Sequence, residues 1–112
     1  MTVPPIYTTA SWTPLPGHEE AFLAAWQEFM GWATSLPGAG EAVLSHDLRD
    51  PARFVSFAAW DSVAAMRGWK DSPEFKPRMG RVQEHIDRFV PTEVGVVTRV
   101  GAPPGVSAPA AA

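Results

Sequence analysis

The chain predicts an α+β domain of ferredoxin-like topology, a split β-α-β-β-α-β order with a four-stranded antiparallel sheet and its helices on one face. Three observations carry that expectation. Apolar residues switch from alternate spacing to three- and four-residue spacing and back, in the order strand, helix, strand, strand, helix, strand. Turn-forming pairs punctuate the switches at Pro16-Gly17, Pro37-Gly38 and Asp50-Pro51. The second and third strands are joined so closely that they must form an antiparallel hairpin.

Residues 5–13 are rich in β-branched and aromatic side chains and are closed by Pro14 and Pro16-Gly17, which makes them the first strand. From His18 the period changes. Phe22, Ala25, Trp26, Phe29, Ala33 and Leu36 mark one face of a helix of about five turns. Glu19 and Glu20 suit its positive N-terminal end, and Pro37-Gly38 stops it. Residues 41–49 alternate again, with Ala42, Leu44, His46 and Leu48 on one side, and Arg53 to Trp60 form the third strand.

Asp61-Ser62 caps a helix carrying Met66 and Trp69, and Ser72-Pro73-Glu74 is a second cap. Phe75, Met79, Val82, Ile86 and Phe89 then continue an apolar stripe to about Val90, with a kink or delayed start at Pro77 and a stop at Pro91. Glu93 to Val100 is the last strand. Residues 1–100 thus make one domain, and the Ala/Pro-rich residues 101–112 make a loose tail or an arm over a partner.

Composition excludes several functions. Hydrophobic residues make up 46% of the chain and charged residues 19%, a globular balance rather than a disordered one. A net charge of −3 with no basic stripe argues against a nucleic-acid partner, and no apolar run is long enough for a membrane span. Met1–Thr9 lacks the basic and apolar regions of a secretory signal, so the cytoplasm is the expected location. Without cysteine there is no disulfide, thiolate nucleophile or Cys-based zinc site, and the three scattered histidines make no metal motif. Five Trp and six Phe serve either a tight core and a self-interface or flat walls for a planar ligand.

Both sides of the third strand are apolar: Val55, Phe57 and Ala59 on one, Phe54, Ser56, Ala58 and Trp60 on the other. Helices cover only one face, so the other calls for a second copy packed sheet to sheet, a homodimer. On the helix side, two small residues stand between two large ones. That leaves either a pocket for a small flat apolar ligand or a gap filled by Trp26, Phe29 or Trp69. His46 interrupts an inward apolar series, as a base or as a buried histidine held by one hydrogen bond. Arg67 and Trp69 follow near the expected mouth, where Arg67 holds a phenolate or carboxylate or is merely solvated. His18 and His85 suit solvent, and Tyr7 can occupy either sheet face.

The stretch Asp50-Pro51-Ala52-Arg53-Phe54-Val55-Ser56-Phe57-Ala58-Ala59-Trp60-Asp61-Ser62, followed by Trp69-Lys70-Asp71-Ser72-Pro73-Glu74-Phe75, resembles the antibiotic biosynthesis monooxygenase family of dimeric α+β barrel proteins. Pro16-Gly17-His18-Glu19-Glu20-Ala21-Phe22 and Leu36-Pro37-Gly38 fit the same pattern, over roughly residues 5–100. The resemblance implies several activities: oxygenation of a small aromatic or polyketide-like substrate to a quinone with no metal or flavin, haem binding and degradation, or isomerisation, cyclisation or dechlorination of a small molecule. It also implies departures. Trp60 matches the quinone-forming members' tryptophan, but Ser56 stands where they have asparagine and Met66 where they have tyrosine. Met79 stands where the haem-degrading members have histidine, which removes an axial ligand.

On this reading His46 is the base and Ser56 and Trp60 contact the substrate, with Phe54, Trp26, Trp69 and Arg67 completing its site. A non-catalytic dimeric ligand-binding or structural module and an isomerase or cyclase on the same fold are the alternatives.

Overall fold

The computed structural model describes residues 5–102 and Gly105. Seven elements follow one another: β1 (Ile6–Pro14), α1 (Glu19–Ala33), β2 (Ala39–His46), β3 (Phe54–Trp60), α2 (Val63–Asp71), α3 (Phe75–Gln83) and β4 (Ile86–Gly95). The strands form one antiparallel sheet in the order β2-β3-β1-β4, so the two central strands are β3 and β1. This is the expected ferredoxin-like α+β arrangement, with the second helical region broken into α2 and α3. Most of the proposed tail, residues 101–112, lies outside the described residues.

The helices cover one sheet face. Their inward side chains Phe22, Trp26, Phe29, Met30, Ala33, Met66, Trp69, Met79 and Val82 form one core with Ala10, Trp12, Phe54, Ala58 and Trp60 of the central strands. Phe22 is fully buried, with ring centroids 5.6 Å from Trp12 and 5.3 Å from Phe54. Burying a side chain of that size stabilises a fold by roughly 1.5–3 kcal/mol. Ser62 caps α2 as its sequence position predicts, accepting from the Ala65 N–H at 3.0 Å. Pro77 falls in the first turn of α3, where its missing N–H would have had no partner in the helix. Among the described residues no helix is long and apolar enough to cross a membrane.

The last third of the chain differs from its expected outline. The helix stops at Gln83 rather than near Val90, and β4 occupies 86–95 rather than 93–100. The reason lies in a bulge. Thr13 pairs with Arg88 but Pro14 pairs with Ile86, so Asp87 is passed over and the ladder shifts by one residue. Ile86 and Phe89 therefore both turn toward the core at a three-residue spacing, which in the sequence imitates a helix. Pro91, read as a helix stop, lies within the edge strand opposite Ala10.

At the hairpin, β2 ends at His46, and Leu48, expected to point inward, is 98% exposed in the turn. Asp47 organises that turn. Its carboxylate accepts from the Arg49 and Asp50 N–H groups and from Arg53, and these bonds, the Arg49 N–H foremost, hold its pKa below the usual carboxylate range. His18 and His85 face each other rather than solvent, with their Nδ1 atoms 3.1 Å apart, joining the start of α1 to the end of α3.

Gly38 carries the turn from α1 into β2 at a φ of +82°, and a Cβ there would lie 2.5 Å from Asp61 Oδ1 and 2.6 Å from the Ala65 Cβ. Gly38→Ala should therefore lower stability by about 1–3 kcal/mol in urea unfolding. Gly68→Ala, in the middle of α2 with open space around it, should instead raise it by roughly 0.5–1 kcal/mol. Equal midpoints for the two variants would contradict this turn geometry.

Candidate ligand-binding site

The two central strands set the floor of the site. On the helix side of the β1–β3 ladder the opposed pairs are Ile6 with Trp60, Thr8 with Ala58, Ala10 with Ser56, and Trp12 with Phe54. Four small side chains are thus surrounded by large ones at either end. Side chains opposite each other in an antiparallel pair share a face, so the small ones form a contiguous patch. Above it lies a cavity of about 230 Å³. Its walls come from Trp26, Phe29 and Met30 of α1, Trp69 of α2, Phe75 and Met79 of α3, and Phe89 of β4. Gln83 and Pro91, both exposed, place the opening between the end of α3 and the free edge of β4, and Lys70 also lines the space.

Two tryptophans pin the floor hydroxyls. Trp12 Nε1 donates to Ser56 Oγ at 2.9 Å, and Trp60 Nε1 donates to Thr8 Oγ1 at 3.3 Å. An indole N–H can only donate, so each hydroxyl is the acceptor in its bond and keeps its own hydrogen to give. Ser56 and Thr8 are buried and line the cavity, where those hydrogens are available to a ligand oxygen. The Nε1 atoms of Trp26 and Trp69 are buried without a hydrogen-bond partner. Among the described residues Lys70 is the one charged lining residue. It donates to Glu93 at 2.8 Å, and that hydrogen bond, reinforced by its charge and that of Arg67, holds the Glu93 carboxyl below the usual range. The lining is therefore mostly apolar and, among the described residues, includes no carboxylate or imidazole.

The sequence placed seven residues at this site. Trp26, Ser56 and Trp69 do line it. Trp60 stands one layer back, stacked on Trp69 with centroids 5.0 Å apart, and Phe54 closes the floor beside Phe22. Arg67 does not line the cavity; it points to Glu93, 3.7 Å away, and its side chain is mostly exposed. The expectation of an inward base at His46 is corrected as well. His46 opposes Phe54 on the helix-facing side, but it ends an edge strand and is exposed, its ring stacked on Phe54 at 4.7 Å and its Nε2 bonded to the Pro51 carbonyl. Thr8, Ala10, Trp12, Lys70, Gln83 and Phe89 were not anticipated. The Thr8-Thr9-Ala10-Ser11-Trp12 alternation carried a signal for β1, but only the strand register shows which of its faces meets Ser56. Among the described residues no group of three or more His, Cys, Asp or Glu side chains could hold a metal.

Comparison with known proteins bears on the same region. A family model described as antibiotic biosynthesis monooxygenase matches residues 5–78. No curated protein matches the sequence. Among solved structures, a candidate antibiotic biosynthesis monooxygenase of Nitrosomonas europaea is 17% identical, with a TM-score of 0.75 over 90% of this chain and 98% of its own. SnoaB of Streptomyces nogalater, a cofactor-independent oxygenase, is 16% identical, with a TM-score of 0.73 over 89% of this chain and 98% of its own. A third, from Chloroflexus aurantiacus, is 21% identical with a TM-score of 0.68, over 87% of this chain and 97% of its own. At these identities the solved structures establish the shared fold.

Ser56→Ala removes the acceptor for a buried indole N–H and should cost about 1–3 kcal/mol of stability in urea unfolding. Adding Trp12→Phe to it should cost less than the two single changes summed, because the stranded donor goes as well. Strict additivity would show that the two side chains are not coupled.

Proposed function

Because the chain belongs to the antibiotic biosynthesis monooxygenase family, we propose that it is a cofactor-independent monooxygenase that oxidises a small electron-rich aromatic, an anthrone or hydroquinone type, in the cavity beneath its helices. The observation that carries this reading is the pair of floor hydroxyls, Ser56 and Thr8, held with their hydrogens free inside an apolar aromatic chamber. The fold shared with SnoaB, named as a cofactor-independent oxygenase, supports the same reaction class.

On an anthrone the activated ring methylene loses two hydrogens and gains one oxygen atom as a carbonyl, on a hydroquinone a ring C–H becomes C–OH as the ring is oxidised to the quinone, and in both the other atom of dioxygen leaves as water. The substrate supplies the electrons, so its deprotonated, electron-rich form is the species that meets oxygen. The protein's part is to hold that anion out of bulk water and stabilise the charge on its oxygen with fixed donors. Ser56 and Thr8 do this from the floor. Trp12 and Trp60 act through them as positioning residues. Since the described lining residues include no carboxylate or imidazole, the substrate's own acidity governs its ionisation. That shortage of acid–base groups also weighs against an isomerase or cyclase. A purely ligand-binding role uses the same chamber without the turnover.

The active form, on this proposal, is a homodimer. Val43, Phe57, Val90 and Val94 stand exposed on the sheet face without helices, beside Val55 and Tyr7. A second copy laid face to face buries the same patch on both subunits, the self-complementary contact that twofold symmetry requires.

Oxygen-electrode assays with anthrones and hydroquinones should show uptake above a heat-killed control. The pH midpoint of turnover should move with the phenolic pKa of the substrate, and His46→Ala should retain turnover. No uptake across several such substrates leaves the binding role as the better reading. Size-exclusion chromatography should find a dimer, converted to monomer by Phe57→Glu; a wild-type protein that runs as a single subunit would defeat the pairing.

A further inference from the structure

Outside the cavity the fold brings together two titratable side chains that the proposed reaction leaves unused. His18, at the start of α1, and His85, just past the end of α3, are both half-buried, and their Nδ1 atoms meet at 3.1 Å. The ring centroids are 5.4 Å apart, which is the nitrogen separation plus one ring radius on either side. The two nitrogens therefore point head to head along one line. Two imidazoles on a shared metal ion would aim at a common point off that line, so the pair is arranged around a proton. With one position between the nitrogens, one ring donates its N–H and the other must keep a bare lone pair. His18 at the positive end of α1 suits the acceptor, and His85 beyond the negative end of α3 suits the donor.

The two rings share that proton alone. The charged groups on the elements meeting here are Glu19 and Glu20 of α1, Arg81 and Glu84 at the end of α3, and Asp87 and Arg88 of β4, while residues 13–17 carry none. All six are exposed, Arg81 faces Glu28, and among the described residues no ion pair within 4.0 Å reaches either ring. The pair's position gives it leverage on the cavity. His85 lies just beyond Gln83, which lines the opening, and just before Phe89, which forms part of the wall. A backbone bond from the Leu15 N–H to the His85 carbonyl, at 2.9 Å, anchors this link to the end of β1. Losing the ring contact thus loosens the end of α3 without detaching β4.

We infer that His18 and His85 form a one-proton latch on the cavity entrance: a second proton drives the rings apart and lets the end of α3 move off the opening. The inference rests on the cavity being a ligand site, as proposed above, but on no reaction taking place there. As the pH falls through about 8 to 5, where histidine ordinarily gains charge, both nitrogens become donors and both rings cations, and the contact is lost. Stability should fall with it. The unfolded chain takes up a charge on each ring and the latched pair holds at most one, so the unfolded state binds more protons and gains as the pH drops.

The test uses the full chain at about pH 7.5 and about pH 5.5, towards either end of histidine's ordinary range. Acrylamide, an uncharged quencher, should reach the buried cavity tryptophans Trp26 and Trp69 more readily at the lower pH, read as a steeper loss of fluorescence. His18→Ala and His85→Ala should each show the steeper loss already at the higher pH and change little on acidification. The urea midpoint should drop on acidification by more in the wild type than in either variant, because His46 and the carboxylates titrate alike in all three. Since a variant can fail to fold, the wild-type protein offers a further readout. Long-range proton–nitrogen NMR spectra should show one protonated and one bare Nδ1 at the higher pH and two protonated at the lower, with the Gln83 and Glu84 amides shifting in step.

Quenching that does not rise with acid, or rises equally in wild type and variants, overturns the latch and leaves the cavity as a ligand site. Rings that gain their protons while the Gln83 and Glu84 amides stay put overturn it too. A rise confined to the wild type upholds it. None of these readouts needs a ligand or turnover, so failed oxygen uptake removes the monooxygenase reading and leaves the latch standing.

Discussion

The site depends on a steric arrangement in the two central strands. A four-stranded sheet under helices ordinarily fills its middle with large branched side chains, yet here Thr8, Ala10, Ser56 and Ala58 meet there across the β1–β3 ladder. The surrounding rings are too stiff and too well packed to collapse into the gap. Phe29 contacts Trp69 and Phe75 at centroid distances of 5.7 Å and 5.6 Å, and Trp69 is backed by Trp60 at 5.0 Å. Interiors pack to crystal-like density, so space that persists inside such a frame is held open by its walls. The same small residues carry the polar groups, which places the hydroxyls at the one spot a guest molecule must touch.

Much of the architecture was legible from residue pattern. The switch between alternating and three-to-four spacing located every element as far as the start of α3, because each buries a single face and periodicity reports that directly. The misplacement of β4 has the same physics behind it. The bulge at Asp87 puts two inward residues three apart, and a helix and a bulged strand then look alike in one dimension. Half of the cavity floor could be read from Phe54-Ser56-Ala58-Trp60, since large and small residues alternate within a single strand. The other half could not, because the match of Thr8 and Ala10 to Ala58 and Ser56 is a property of register, which no local sequence encodes.

His46 illustrates a different limit. Its spacing on β2 correctly assigns it to the helix-facing side, opposite Phe54. Facing the right way is not the same as being enclosed. β2 is an edge strand, and at its end the helices no longer cover the sheet, so the ring settles flat on Phe54 in contact with solvent. The indole pairs show the converse. Trp12 with Ser56 and Trp60 with Thr8 lie 44 and 52 residues apart in sequence, and such partners become visible only when the sheet is assembled.

Pro91 has a consequence of its own. The β1–β4 ladder passes through it without a shift, the arrangement a proline permits when its nitrogen is turned toward the open side. An uninterrupted row of free amides along β4 would be a template on which strands of other chains could add, the usual origin of edge-to-edge aggregation. Pro91 removes one amide from that row beside the cavity entrance, and the bulge at Asp87 twists the row a few residues earlier. A strand docked there would seal the doorway. The feature that protects the protein from its neighbours in a crowded solution therefore also keeps the chamber open to small molecules.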